Sequence, residues 1–296
     1  MAGKRSPRIG FVGQGFVGKN YADDFERRGH TVVRYGLEDA YVKNRDHIKH
    51  CDIVFIAVPT PTTPEGFDVS IVEEAIRLVG RGKVAVIKST VLPGTTERLQ
   101  KKYPSVTLLF SPEFLSEATA SYDVANPFAN IVGTSKRTPK HVKAAKLVHS
   151  ILPPSPFVHT ATSTEAELIK YSHNVSGYLQ VLTFNLMYDL AEELGSDWGA
   201  IQPALYADPM ISNYYSNPIH KRGRGAGGNC FIKDFAAYAR LYRELVKHPE
   251  GMALLTAAER HNIALLQESE KDLHLLEKVY GAAHAKAKPR KRARAK

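Results

Sequence analysis

A cysteine behind a glycine pair is the clearest candidate for chemistry in this chain of 296 residues. Cys230 follows Gly227-Gly228-Asn229 and stands four residues ahead of Asp234, with Lys233 between them. Glycines let a backbone approach a ligand closely, and a thiol can attack a carbonyl carbon. Lys233 and Asp234 add charge and a means of moving protons. Taken alone, the segment fits a buried structural cysteine in a Gly-rich loop better, because such cysteines are common.

A second motif near the N-terminus changes that interpretation. Gly13, Gly15 and Gly18 follow a short apolar run and match G-x-G-x-x-G, the pattern of a strand-to-helix turn that binds a dinucleotide. These glycines permit a tight turn, the approach of a pyrophosphate and close helix–strand packing, with the helix N-terminus facing the phosphates. A predicted helix over 19–29 and a predicted strand over 31–35 supply the required context.

Composition indicates a soluble enzyme of about two domains. Apolar residues make up 43% of the chain, and no apolar run approaches the roughly 18 residues of a membrane span. Residues 1–7 lack the apolar core of a signal peptide. The two cysteines, Cys51 and Cys230, make no disulfide framework, so we expect a reducing compartment, the cytoplasm.

Much of the net charge of +10 comes from the last residues of the chain. Residues 285–296 hold seven Lys and Arg and no acid, too charged and too poor in apolar residues to fold alone. We therefore expect residues 282–296 to be a disordered basic tail. It could contact nucleic acid, an anionic surface or a localisation receptor, or simply be solvated.

Strands and helices alternate through the first half, which predicts an α/β fold with a Rossmann-like, doubly wound parallel sheet. Besides the first two strands, the predicted strands cover 53–58, 84–88, 106–110 and 130–133, and further helices cover 69–79 and 139–150. The loops at the carboxyl ends of the strands should line the ligand crevice. Those loops are 13–18, 59–63, 89–95 and 111–119.

After Pro153-Pro154 the pattern becomes that of long helices, with apolar residues three or four apart from 164 to 194. Thr164 and Glu167 can form a capping box at its start. Lys170 and Asn174 are one turn apart and project from one helical face. Further helices are predicted over 233–247 and 254–281. The expected domains are 1–158, a dinucleotide-binding domain, and 159–281, an all-α central domain.

Five segments, taken in order, resemble the UDP-glucose/GDP-mannose dehydrogenases, and the resemblance covers the chain from about Arg8 to Gly281. These segments are Pro59-Thr60-Pro61, Ser89 to Thr95, Ser111 to Glu117, Glu167 to Asn174 and Gly227 to Asp234. Enzymes of that family oxidise the C6 alcohol of a sugar nucleotide to a carboxylate with two NAD. The Cys-Phe-x-Lys-Asp form is closer to the UDP-glucose branch. The resemblance thus implies oxidation of UDP-glucose to UDP-glucuronate, in nucleotide-sugar metabolism and polysaccharide biosynthesis.

The resemblance assigns Cys230 as the nucleophile, which captures the C6 aldehyde as a thiohemiacetal that is oxidised to a thioester and hydrolysed. It assigns Lys170 to the developing oxyanion and Asn174 to the substrate or its bound water. Asp234 and Thr90 would order the water that receives the first proton.

Binding residues also follow from the resemblance. Glu113 and Glu117 would position the substrate and activate the hydrolytic water. NAD would contact Gly13, Gly15, Phe16, Val17, Gly18, Glu38, Pro59, Thr60, Ser89, Thr90 and Lys233. The sugar nucleotide would contact Phe114, Leu115, Lys170, Asn174, Gly227 and Gly228. No metal is implied.

Several positions depart from the family pattern. Gly36 stands where an aspartate usually ends the second strand, and Glu38 or Asp39 could take its place on the ribose. Arg34 leaves some tolerance of NADP open. Met210 stands where the family has an arginine that reaches the substrate across a dimer, and methionine cannot replace its charge or its fork of donors.

The family's third, UDP-binding domain has no counterpart here, so a separate chain could supply it. We expect a homodimer packed through the long helix around residues 168–190. Two alternatives stay open. One is a two-electron 3-hydroxyacid dehydrogenase, which needs the helical Lys and Asn but not Cys230. The other is a non-catalytic or degenerate nucleotide-binding protein, one that could engage nucleic acid through the tail.

Overall fold

The computed structural model describes residues 6–212 and 214–288, which form two compact units. The first unit comprises the chain up to Thr60 and Asp68–Lys170, and the second comprises Pro61–Phe67 and the chain from Tyr171 onward. The boundary after Lys170 falls inside the long helix that the sequence predicts.

Strands and helices alternate through the first half of the chain, and helices dominate the second. The strands are β1 Ile9–Val12, β2 Val32–Tyr35, β3 Ile53–Ile56, β4 Thr62–Thr63, β5 Gly66–Phe67, β6 Val84–Ile87, β7 Thr107–Phe110, β8 Ala129–Thr134 and β9 Phe157–Thr162. The helices are α1 Phe16–Arg27, α2 Ser70–Arg77, α3 Thr95–Lys102, α4 Ala120–Ala125, α5 Pro139–Ile151, α6 Ser163–Glu193, α7 Trp198–Ala207, α8 Gly228–Leu245, α9 Pro249–Glu268 and α10 Leu273–Tyr280. Two 3₁₀ helices cover Val42–His50 and Ala282–His284.

The first unit is built on a seven-stranded sheet in the order β2-β1-β3-β6-β7-β8-β9. The first five strands in that order pair in parallel, and β8 joins β7 in the antiparallel direction. Strands β1, β3 and β7 are buried along their whole length, because helices cover them. The rings of Phe11, Phe25 and Phe55 pack together in this core.

The predicted doubly wound α/β fold is confirmed, and the structure adds features that the pattern does not reveal. Strand β9 was not predicted, because Phe157–Thr162 lies at the sheet edge and four of its six residues are exposed. A half-exposed edge strand has no continuous apolar run to mark it. The antiparallel pairing of β8 was likewise not predicted.

The second unit consists of the remainder of α6, helices α7 to α10 and the short β4–β5 hairpin. Tyr178 of α6 stacks on Phe235 of α8, with ring centroids 3.8 Å apart, in a core shared with α9. The hairpin is held by Arg240 of α8, which donates to the Thr63 carbonyl. Gly195 adopts a left-handed φ of 64° two residues after Glu193, the last residue of α6, a conformation typical of a helix C-terminus.

Two predicted helix boundaries are wrong. Helix α8 begins at Gly228, five residues before the predicted start, so Cys230 lies in its first turn rather than in a loop. The predicted helix over 254–281 is two helices, α9 and α10, separated by a turn. Glu270 and Asp272 in that turn have φ of 54° and 55°, left-handed values that end an α-helix.

The prediction that Thr164 and Glu167 form the capping box is also wrong. Helix α6 is capped by Thr162 and Glu165, each of which bonds the other's backbone N–H. Glu167 instead leaves the helix surface and accepts hydrogen bonds from Gly94 N, Thr96 N and Thr96 Oγ1, at 2.6, 2.8 and 2.6 Å. Its buried carboxylate therefore caps α3 from 71 residues away.

The start of the predicted basic tail contacts α9. Gln267 donates its side-chain amide to the His284 carbonyl, and Lys288 N donates to the Gln267 carbonyl. Residues 289–296 of the predicted tail lie outside the described residues.

Replacement of Glu167 by glutamine should remove a pH-dependent loss of stability. Burial raises the pKa of Glu167 from 4.5 to about 7, although the bonds from Thr96 and Gly94 oppose this rise. A carboxyl group with a raised pKa stabilises the fold below its unfolded pKa, and that contribution is lost as the pH rises through the folded value. From pH 4.5 to neutrality, the free energy of unfolding of the wild type should fall by roughly 3 kcal/mol relative to Glu167→Gln, in urea titrations followed by circular dichroism.

Glu165→Gln is the matched control, two residues away on the same helix. The hydrogen bond from Thr162 N lowers the pKa of the exposed Glu165 carboxyl, so its contribution is present at neutral pH and lost as the pH falls. The free energy of unfolding of the wild type relative to Glu165→Gln should therefore rise with pH, whereas that relative to Glu167→Gln should fall. Identical pH dependence of the wild type and Glu167→Gln would contradict the assignment.

Candidate active site

The glycine loop between β1 and α1 has the geometry that dinucleotide binding requires. Gly13 has φ of +92°, and a Cβ there would lie 2.2 Å from the Ala57 carbonyl oxygen. A Cβ on Gly18 would lie 1.9 Å from the Gly13 carbonyl oxygen. Gly15, the N-cap of α1, faces open space. Gly13 and Gly18 therefore need glycine for the turn and its packing, and Gly15 leaves room for a ligand at the helix N-terminus.

The end of β2 carries a carboxylate even though Gly36 replaces the usual aspartate. A Cβ on Gly36 would lie 2.1 Å from Glu38 Oε2, so the Glu38 side chain fills the space beside that glycine. Arg34 is already engaged, since its guanidinium contacts Glu26 at 2.6 Å and Asp23 at 2.7 Å. This pairing leaves Arg34 less available to a 2′-phosphate and favours the Glu38 assignment.

Hydrogen bonds join the predicted loops that follow β3 and β6. Thr60 Oγ1 donates to the Thr90 carbonyl at 2.8 Å. Ser89 Oγ accepts from Val58 N at 2.9 Å and donates to the Val58 carbonyl at 2.7 Å. Thr60, Ser89 and Thr90 are all buried. The structure thus brings three predicted cofactor-binding residues together at one edge of the sheet.

Glu113 and Lys170 form a buried ion pair, with Glu113 Oε1 2.9 Å from Lys170 Nζ. Leu115 N donates to the other carboxylate oxygen at 2.8 Å. Burial by itself raises the pKa of Glu113, but the Lys170 charge and the Leu115 hydrogen bond hold it below its usual range. Glu113 is therefore a carboxylate at neutral pH. Glu117, four residues further on, is exposed.

In the second unit, the predicted residues Asn174, Lys233 and Asp234 form one group. Asn174 Nδ2 donates to Asp234 Oδ2 at 2.7 Å, and Lys233 Nζ contacts Asp234 Oδ1 at 2.5 Å. Asp234 and Asn174 are buried, and Lys233 is partly buried. Lys233, predicted to bind the cofactor, is here the partner of Asp234. Each Asp234 oxygen has a donor, which is what a buried carboxylate needs.

Cys230 is exposed in the first turn of α8 and forms no disulfide. Its exposure leaves the sulfur accessible to a ligand or a reagent. Cys51 contrasts with it. This thiol is fully buried, and burial raises its pKa to about 11. The structure therefore separates one accessible thiol from one inert thiol.

Side chains of α9 and of the turn behind it hold the Gly-rich segment ahead of Cys230. Asn262 accepts from Ala226 N at 2.7 Å and donates to the Ala226 carbonyl at 3.0 Å. Asp272 Oδ2 accepts from Gly228 N at 2.7 Å, so it caps α8. A Cβ on Gly227 would lie 2.1 Å from the same Asp272 oxygen. The backbone that carries Cys230 is thus fixed by two polar side chains.

Sequence reasoning missed Asn262, Asp272 and the buried Lys88. Lys88 ends the apolar run of β6, directly before the predicted Ser89. A lysine at the end of a buried strand was the available signal. Asn262 and Asp272 had none, because their partners lie 36 and 44 residues away.

Within the described residues, no group of three or more His, Cys, Asp or Glu is placed to hold a metal ion. None of the helices described is both long enough and apolar enough to cross a membrane.

Family comparisons match both halves of the chain. Residues 39–152 match the NAD binding domain of the UDP-glucose/GDP-mannose dehydrogenase family, and residues 164–264 match its central domain. The chain belongs to the UDP-glucose/GDP-mannose dehydrogenase family. Because the first matched domain binds NAD and the glycine loop offers an open helix N-terminus, the predicted cofactor NAD is confirmed.

Several individual proteins are similar to this family member. It is 28% identical over 273 residues to the putative UDP-glucose 6-dehydrogenase YtcA of Bacillus subtilis, an alignment that covers 78% of this chain. The chain spans 62% of the length of that relative. A solved UDP-glucose dehydrogenase from Pyrobaculum islandicum matches 94% of this chain and 72% of its own, with a TM-score of 0.74 and 28% identity.

A likeness in fold extends to another group of enzymes. A 3-hydroxyisobutyrate dehydrogenase of Mycobacterium tuberculosis matches 89% of this chain and 95% of its own, with a TM-score of 0.67. Its identity of 13% shows a common fold alone.

Iodoacetamide should label Cys230 at least about 100-fold faster than Cys51, because the first thiol is exposed at a helix N-terminus and the second is buried with a raised pKa. Peptide mass spectrometry after timed labelling measures both rates in one sample. Cys51→Ala should keep the fast reaction, and Cys230→Ser should abolish it. Fast labelling of native Cys230→Ser would contradict the assignment.

Proposed function

We propose that this chain catalyses the NAD-dependent oxidation of a nucleotide sugar at C6, with UDP-glucose as substrate and UDP-glucuronate as product. The observation that carries the proposal is the accessible Cys230 thiol in the first turn of α8, on the same helix as the paired Lys233 and Asp234. A thiol so placed is suited to capture an aldehyde. Membership of the family supports the choice of substrate class.

The first oxidation removes a hydride and a proton from the C6 alcohol and leaves an aldehyde. NAD, when bound, supplies the two-electron acceptor for this step and for the second one. The proton passes to a water molecule held by Asp234 and Asn174, whose side chains are already joined by a 2.7 Å hydrogen bond. Thr90 is proposed to help order this water.

The second oxidation requires the thiol. Cys230 Sγ adds to the aldehyde carbon, and the aldehyde oxygen gains a proton, which gives a thiohemiacetal. Loss of a second hydride and a proton then gives a thioester, and water cleaves its carbon–sulfur bond to release the carboxylate and the thiol. The balance is two NAD reduced and one water consumed for each sugar. Covalent capture keeps the reactive aldehyde from leaving.

The Glu113–Lys170 pair fits the roles of positioning and oxyanion stabilisation. Lys170 carries a positive charge, and its pairing with Glu113 fixes where that charge lies. Glu113 is ionised, so it can accept a proton from water. We assign the exposed Glu117 to substrate positioning by resemblance. Glu38 is proposed to accept from the adenosine ribose.

A second candidate function is the two-electron oxidation of a 3-hydroxyacid, since the chain resembles a 3-hydroxyisobutyrate dehydrogenase in fold. That reaction has no thioester and does not need Cys230. A third possibility is a protein that binds NAD without turnover. The chain spans less than two thirds of the length of YtcA.

NADH formation with UDP-glucose, GDP-mannose and UDP-N-acetylmannosamine tests these proposals. Wild type should produce about two NADH per UDP-glucose, because the aldehyde stays bound through both oxidations. Cys230→Ser should lose at least about a thousandfold in turnover. Cys51→Ala is the matched control and should retain activity, because Cys51 is buried in the core.

Other outcomes would select the alternatives. One NADH per molecule of a 3-hydroxyacid, with Cys230→Ser fully active, would establish the two-electron reaction. No NADH from any of these substrates, together with measurable NAD binding by calorimetry, would contradict the proposed oxidation and leave a binding protein.

We further propose that the chain is a homodimer through α6. Four large apolar side chains near the end of this helix are half exposed or more: Leu186, Met187, Leu190 and Leu194. Helix α7 follows directly and is apolar, yet it has no buried residue. An exposed apolar surface of this kind is typical of an interface. Met210, 92% exposed, offers no charge to a partner's substrate.

The compartment and the tail also remain proposals. Neither cysteine forms a disulfide, and this supports the proposal of a reducing compartment, the cytoplasm. We propose that the basic tail, residues 282–296, contacts nucleic acid or an anionic surface through its charge.

The double substitution Leu186→Lys with Leu190→Lys should convert the dimer to a monomer, because it buries two charges in the proposed interface. Light scattering coupled to gel filtration should report a fall from twice the chain mass to 32.8 kDa. Leu37→Lys is the control, since Leu37 is 88% exposed in the other unit and its change should leave the mass unaltered. An unchanged mass for the double variant would exclude α6 as the interface.

A further inference from the structure

Lys88 is a buried lysine to which the proposed reaction gives no role. It follows β6 directly and is 2% exposed. Lysine is almost never fully buried unless its charge has partners, because removal of an ammonium from water is costly. Its surroundings should therefore explain why it is retained.

Three oxygen atoms surround the Lys88 ammonium. Nζ donates to the Ser111 carbonyl at 3.1 Å, to Ser111 Oγ at 3.3 Å and to the Pro112 carbonyl at 3.3 Å. All three belong to the two residues immediately before Glu113. The ammonium thus bonds the backbone at the end of β7 and has three acceptors for its three N–H groups.

A fourth contact is made with an aromatic ring. Lys88 Nζ lies 4.2 Å from the centroid of the Tyr21 ring, a cation–π distance. Tyr21 is buried in α1, the helix that begins at the glycine loop. Lys88 therefore joins the cofactor-binding helix to the segment that carries Glu113.

The charge of Lys88 also acts on Glu113 directly. Burial lowers the pKa of Lys88 to about 7, while the Glu113 charge opposes this fall. In the other direction, Lys88 is one of the charges that hold the pKa of Glu113 low. The two side chains are thus electrostatically coupled, in addition to the backbone bonds.

We propose that Lys88 is a positioning residue, whose ammonium fixes the Ser111-Pro112 backbone so that Glu113 stays aligned with Lys170 and with the Leu115 N–H. The effect of Lys88 on catalysis rests on the proposed function, but its effect on the order of the Ser111-Pro112 backbone does not. Lys88 itself touches neither substrate nor the reacting atoms. It acts through Glu113, and its effect should appear first in the order of residues 111–117.

Lys88→Met tests the structural part without any activity. Methionine has a similar length and no charge, so it fills the space but leaves the Ser111 and Pro112 carbonyls without a donor. Hydrogen-exchange mass spectrometry should show the Leu115 amide, which donates to Glu113, exchanging about tenfold faster or more. Peptides from β1 and β3 should keep their wild-type rates.

Lys83→Met is the matched control. Lys83 precedes the other end of β6 and pairs with Asp52 at 2.7 Å, so its change also removes a lysine and an ion pair from this strand. It should leave exchange at residues 111–117 unaltered. Faster exchange throughout the sheet in Lys88→Met, or equal changes in the two variants, would show general destabilisation and overturn the proposal.

Kinetics separate this proposal from the proposed reaction. In an active enzyme, Lys88→Met should lower kcat about tenfold or more, since small misplacements of catalytic groups are costly, while KM for NAD changes less than about twofold. Lys83→Met should match the wild type. An inactive wild type would refute the proposed function and leave the exchange result to decide on Lys88.

Ser111→Ala keeps the test valid should Lys88→Met fail to fold. It removes only the hydroxyl acceptor and leaves both carbonyls bonded to Lys88. Exchange of the Leu115 amide should rise about two- to threefold, with no change elsewhere in the sheet. Wild-type exchange at Leu115 in this variant would overturn the proposal.

Discussion

The buried ion pair between Glu113 and Lys170 is the interaction around which several segments of the first unit are arranged. A charge removed from water is retained only when partners replace its hydration. The Glu113 carboxylate pairs with Lys170 and also accepts a hydrogen bond from the Leu115 N–H. Lys88 in turn donates to the backbone carbonyl just before Glu113. One requirement, the pairing of buried charge, therefore links the end of β7, the end of β6 and the first turns of α6.

The unpaired N–H groups at helix N-termini also need partners, and α3 and α8 meet this need differently from α1. At α3 and α8 the unpaired N–H groups are occupied by the protein's own carboxylates, Glu167 and Asp272. At α1 the N-cap is Gly15, and space beside it is open. A helix N-terminus attracts an anion, so the open N-terminus of α1 in the glycine loop is suited to a pyrophosphate.

Two identical side chains illustrate how environment, not residue type, assigns chemistry. Cys51 is packed against Gly10 in the core, where a Cβ on that glycine would lie 3.1 Å from the cysteine sulfur. Cys230 is exposed in a helix turn whose approach is fixed by Asn262 and Asp272. Burial raises the pKa of the Cys51 thiol, whereas the Cys230 sulfur is exposed and accessible to a ligand. The second unit thus presents its one exposed thiol on a rigid backbone.

The sequence by itself determined the doubly wound fold, the glycine loop, the family and most of the long helices, because these depend on local periodicity and turn chemistry. It did not determine which carboxylate caps which helix, where α8 begins, or that β9 completes the sheet. Glu167 was predicted to cap its own helix, and it caps α3 from 71 residues away. Only the tertiary structure decided such partners, because a buried charge bonds whatever donors the fold brings to it, and no local pattern records them.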